Sequence, residues 1–221
     1  MLIRDVTCKV VMDANTEHRV SETSTAYRTA TSSNGVSGKR EAILDAALEL
    51  FAERGFHGTA VPLVAKKAGV GAGTIYRYFE SKEALVNALY QRWKARFGEL
   101  ILTDFPLDAS PREQLRQYWI RMCGFIQEHP QAFKFLEAHH HGPYLDETSR
   151  ALETTILEPA HMFFEVAQAK GVIKAGPPEL FLAVVNGTLA GLVKASWSGH
   201  LELTPEVLAQ GEACAWEAIR A

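Results

Sequence analysis

Three cysteines in 221 residues, Cys8, Cys123 and Cys214, are too few and too scattered to staple a fold or to pair as thiolate ligands. Their scarcity predicts a reduced compartment and ordinary buried thiols. No run reaches the roughly 18 apolar residues of a membrane span. The longest, residues 180–193, is broken by Asn186, Gly187 and Thr188. Residues 1–20 lack the apolar stretch of a secretory leader, because Arg4, Asp5 and Lys9 interrupt it. Neither sign of charge dominates, with a net charge of −3. A glycine-rich phosphate loop, a nucleophile–base set and a paired-carboxylate pattern are all missing. These absences predict a cytoplasmic chain with no membrane partner, no catalytic residues, no metal and no cofactor.

What is present is unevenly distributed. Residues 39–82 carry seven basic and five acidic side chains, whereas the chain beyond them is acidic. A mildly basic segment on an acidic body suits a nucleic-acid reader that avoids indiscriminate sticking. Residues 1–37 are rich in Ser, Thr, Asn and Gly from position 16 onward and predict a mostly disordered tail. After residue 38 the pattern is helical throughout, so the class is all-α. Ile43, Ala46, Ala47, Leu50 and Phe51 follow the stripe of an amphipathic helix that Gly55 is placed to end. Thr59 is a candidate N-cap for a short helix to about residue 67. A third short helix covers about 72–78, and a long one starts at Ser81. Further helices are expected over 111–128, 130–140, 145–170, 178–199 and 204–220, most of them opened by proline. Pro159 is expected to kink or split its helix.

The run from Thr59 to Phe79 carries the sharpest signal. A helix-turn-helix needs a small residue where its helices cross, a glycine in the left-handed turn and an apolar pin on the second helix. Ala65, Gly69 and Ile75 take those three places, with Val64, Ala68 and Val70 beside them. On the second helix Thr74 offers a hydroxyl and a methyl to base edges, and Arg77 can grip guanine with two bonds. Tyr76 and Tyr78 are placed to reach phosphates, as are Lys82 and Thr59. Ala72 and Gly73 bring no donors, so direct readout is thin and DNA shape must contribute. Ile75 and Phe79 read as core.

With "LFAERGFHGT" followed by "LVAKKAGVGAGTIYRYFESKEAL", residues 39–85 closely resemble the TetR family of bacterial regulators. The remainder is similar mainly in layout. The resemblance implies a three-helix helix-turn-helix domain over 38–82 and a six-helix dimerisation and effector-sensing domain over 83–221. It implies a homodimer on double-stranded palindromic DNA, most often a repressor, released when a small molecule enters the C-terminal domain.

That domain is aromatic. Trp93, Phe97, Tyr118, Trp119, Met122 and Phe164, with Gln127 and His161 as polar anchors, are candidates to line an apolar effector pocket. Phe181, Val184, Val185, Thr188, Leu192 and Trp216, on helices rich in small residues, are candidates for the dimer interface. Along the helix from Ser81, Lys82 and Phe97 lie about 22 Å apart, so that helix can link reading to sensing. Adjacent histidines at 139–141 point about 100° apart on a helix, which argues against one shared metal ion. Two rival readings remain: control by a protein partner, and a His-centred metalloenzyme with an accessory DNA-binding domain. Bound stoichiometric metal would favour the latter.

Overall fold

A computed structural model describes residues 35–138 and 141–221. The predicted tail falls outside the described residues except for residues 35–37, which already belong to the first helix. The fold is all-α, with nine α-helices among the described residues. They are α1 (Gly35–Gly58), α2 (Val61–Lys67), α3 (Ala72–Tyr78), α4 (Lys82–Leu102), α5 (Pro111–Glu128), α6 (Pro130–Ala138), α7 (Glu147–Ala169), α8 (Pro178–Trp197) and α9 (Pro205–Ile219). A 3₁₀ turn, Gly142–Tyr144, lies between α6 and α7.

Two compact units result. One holds the described residues up to Trp93 together with 131–146; the other holds 94–130 and 147–221. In the first, the buried stripe of α1 (Ile43, Leu44, Ala47, Leu50, Phe51) packs with Val64, Ile75, Leu85 and Leu89. Phe135 and Leu145, from beyond α4, complete this core. The segment between α6 and α7 is pinned there. Asn87 donates to the carbonyl of Tyr144 (2.7 Å) and accepts from the amide of Asp146 (2.9 Å). The Tyr144 ring stacks on Phe56 with centroids 4.0 Å apart, and its hydroxyl lies 2.8 Å from His57 Nε2.

In the second unit, local chemistry sets the helix starts. Ser110 accepts from the Glu113 amide and Thr204 from the Val207 amide, each followed by proline at the first helical position. Arg121 on α5 caps α4 from outside, donating to the carbonyls of Ile101 (2.9 Å) and Asp104 (3.0 Å) among others. Arg112 on α5 grips Glu212 on α9 through both carboxylate oxygens, one contact at 2.7 Å, and also lies 5.2 Å from the Trp216 ring. Gly211 marks a close approach: a Cβ there would displace the Leu192 side chain on α8 and meet Trp119 at 3.3 Å.

Two expectations change. Pro159 does not split its helix, because α7 runs unbroken across it. Helix α8, in spite of Asn186 and Thr188, is long and apolar enough by length and composition to cross a membrane. Its inner residues Phe181, Val185, Leu189 and Val193 are core, yet only 22% of its apolar window is buried within the chain.

Candidate nucleic-acid interface

The turn between α2 and α3 forms as the spacing requires. Gly69 adopts φ 66, where an L side chain would be strained. The Val70 amide donates to the Ala65 carbonyl (3.0 Å), and Ala65 and Ile75 are buried at 2% and 1% exposure. Ile75 anchors α3, so the residues on its opposite side face solvent. At 3.6 residues per turn, Ala72 and Tyr76 stack on one row and Gly73 and Arg77 on the next. All four are exposed, and Arg77 forms no ion pair among the described residues. Thr74 and Tyr78, also four apart, occupy the half-buried flank.

Arg40 was not singled out by the sequence, yet it borders this surface. It lies with Tyr76, Arg77, Tyr78 and Glu80 around an open concavity of about 430 Å³, and its guanidinium sits 5.4 Å from the Phe79 ring. Its position just ahead of the first buried residue of α1 was the available signal. Lys82 opens α4 with its ammonium 4.1 Å from the Phe56 ring. Partial desolvation there pulls its pKa below the usual lysine range, with Glu83 opposing the shift.

Thr59 is a correction. It is buried at 1% exposure, and its hydroxyl lies 2.9 Å from the Gly55 carbonyl and 3.1 Å from that of Leu50. The N-cap of α2 is Ala60. Gly55, at φ 67 and ψ −178, breaks α1 before its last turn. The Thr59 hydroxyl is thus turned onto the carbonyls of α1, inside the fold, and away from a phosphate.

The other candidate sets scatter. Trp119, Met122 and Phe164 are buried core residues, so they do not line an open pocket. Tyr118 donates to Asn186 (2.7 Å). Phe97 meets Phe125 edge-on, and His161 is half-buried on α7. Trp93 packs with the first unit. A cavity of about 130 Å³ does exist in the second unit, but of the candidate set it takes only Gln127. Among the interface candidates, Phe181 and Val185 are turned into the chain's own core and cannot meet a partner. Val184, Thr188, Leu192 and Trp216 remain half-buried. No group of three or more metal-ligating side chains occurs among the described residues. His139 and His140 lie outside them. His141 is buried, with Nε2 2.6 Å from the Phe135 carbonyl.

Residues 43–89 match the model of bacterial regulatory proteins of the tetR family, and residues 90–221 match that of the tetracyclin repressor-like C-terminal domain. The HTH-type transcriptional regulator RutR of Escherichia coli K12 is 31% identical over 183 residues, covering 79% of each chain. The fatty acid metabolism regulator protein of Bacillus subtilis is 41% identical over 73 residues, which are 33% of this chain and 38% of that protein. In three dimensions the chain is similar to a TetR family transcription regulator from Marinobacter aquaeolei, at a TM-score of 0.74 and 27% identity, covering 83% of this chain and 96% of the other.

Proposed function

The chain belongs to the tetR family of bacterial regulatory proteins and is a DNA-binding transcription regulator, and from that premise we propose that it is a cytoplasmic homodimeric repressor, released from a palindromic operator by a small effector. It acts by binding alone, without catalysis. Residues 38–82 read DNA, and 83–221 dimerise and sense. The observation that carries the reading is the exposed face of α3, where Tyr76 and Arg77 project beside the bare Ala72 and Gly73 while Ile75 holds the helix from behind. Arg77 and Thr74 supply base discrimination. Tyr76, Tyr78, Arg40 and Lys82 position the helix on the backbone.

Selection from randomised duplex DNA is expected to enrich a two-fold symmetric site with half-sites about one turn, ~34 Å, apart. Enrichment of no symmetric site would overturn the reading. On the selected site, Arg77→Ala should cost about 1–3 kcal/mol per half-site and relax preference at one base pair. A loss that is equal on every site variant would make Arg77 a phosphate contact instead.

Gly73→Ala separates folding from reading. A Cβ at Gly73 meets nothing within 4 Å in the chain itself. Alanine should therefore stabilise the fold by up to about 0.5–1 kcal/mol through helix propensity. If the major groove closes on this row, the same methyl lowers operator affinity. A variant that gains stability and keeps full affinity would place the DNA elsewhere.

The face that suits a second copy is the outer row of α8: Leu180, Ala183, Gly187 and Gly191, all exposed, with Val184 and Thr188 on its flank. Its spacing continues over three turns, and its glycines permit close backbone approach.

A further inference from the structure

The cavity of about 130 Å³ lies among α5, α8 and α9, at the end of α5 and α8. From α5 come Cys123, Ile126 and Gln127; from α8, Leu189, Val193, Ser196 and Trp197. Both sets follow helical spacing, so each is a single face. Pro130 and Leu203 close the ends, and Leu208 of α9 supplies the remaining wall.

The gap is not general looseness. At Gly211, α8 and α9 pack closely, so that a Cβ there would have to displace the Leu192 side chain and would meet Trp119 at 3.3 Å. One turn further along α8, Ser196 lines the cavity, with Leu208 of α9 among the other lining residues. Two of the lining side chains, Cys123 and Ser196, are small, and leucine at either adds volume to the wall. Trp197 remains 44% exposed at this site, offering an aromatic surface.

We infer that this cavity is the effector site, and that its ligand is a neutral molecule the size of one ring, such as a monocyclic arene or phenol. The inference rests on the effector reading above and gives it a place and a chemical class. Size argues first. A cavity of about 150 Å³ lined by aliphatic side chains takes one benzene, whereas drug-sized ligands need about 300–1,000 Å³. A long acyl chain has no room. Charge argues second. No Lys, Arg, His, Asp or Glu lines the space, so an ionised ligand would lose its hydration without a counter-charge. The Cys123 thiol, pushed up to about 12 by burial, stays neutral as well. The Gln127 amide and the Ser196 hydroxyl leave room for one polar group on the ligand. Because Val193, Ser196 and Trp197 share α8 with the outer row of glycines, filling the cavity bears on the helix proposed to meet the second copy.

The test uses the purified full chain titrated with toluene, phenol and benzoate, read by melting temperature and tryptophan fluorescence. Toluene and phenol should bind saturably and raise the melting temperature, with benzoate at least tenfold weaker. Ser196→Leu and Cys123→Leu each fill the cavity, so either variant that folds should lose the response while keeping operator affinity. Equal binding of benzoate, an undiminished response in a folded filled variant, or no saturable binding up to the solubility limit would each overturn the site. Operator affinity distinguishes the two layers. A ligand whose binding is lost on filling the cavity, but which leaves the operator affinity of the native chain unchanged when bound, keeps the site and overturns its assignment to the effector. Operator release that persists in the filled variants keeps the effector reading and overturns this site.

Discussion

A Gly191→Arg chain is expected to fold, to sediment as a monomer, and to bind the palindromic operator about 10²–10⁴-fold more weakly than the native protein. The size follows from linkage: once one half-site is held, the second sees its reader at an effective concentration that separate monomers lack. Gly187 and Gly191 sit one turn apart on the exposed side of α8, and a Cβ at either would meet nothing within 4 Å of the chain. Arginine is therefore accommodated within one copy and improves helix propensity by up to about 1 kcal/mol. Between two α8 helices at close range it would bury an unpaired charge. Sedimentation at micromolar concentration with operator titration decides it. A dimer that survives with full affinity would move the interface to another face.

Arg112→Met is expected to destabilise the fold by about 3 kcal/mol, because it leaves the Glu212 carboxylate buried without its partner. Glu212 is 7% exposed, whereas the Arg112 side chain is 39% exposed. The reciprocal change should thus be milder. In Glu212→Gln the guanidinium can turn to water, at a cost of about 1 kcal/mol or less. For a chain of this size the first change lowers the melting temperature by roughly 6–12 °C. Thermal unfolding of both variants checks the order, and equal losses would mean that the attraction between Arg112 and Glu212, rather than the burial of an unpaired Glu212, sets the cost.

Where information is local, it was legible. Ala65, Gly69 and Ile75 announced the helix-turn-helix because each acts within eleven residues of the others, through sterics that no distant residue can override. Thr204 with Pro205, and Pro111 after Ser110, marked helix starts for the same reason. Thr59 was misread because an N-cap and a buried threonine look alike. The difference lies in the break of α1 at Gly55, beside which the Thr59 hydroxyl donates inward to the Gly55 carbonyl. On α8 the helix was recognised but not its phase. Phe181 and Val185 are among its most apolar residues, and within one chain they turn inward, leaving the small residues outside. The aromatic set scattered because large rings are what any helical core uses, whereas the cavity is lined mainly by ordinary aliphatic and small side chains, which no motif signals.

The contribution of Phe135 and Leu145 to the first core has a bearing on modularity. The unit carrying the recognition helix is not one continuous piece of chain, since residues 131–146 return to it after α4 and α5 have left. Chimeras that join this reader to a foreign body near residue 93 would leave the place of Phe135 vacant and remove Tyr144 and Asp146 from Asn87. Recombination that respects this unit has to transplant both segments together, or supply from the new body a short turn that reproduces them.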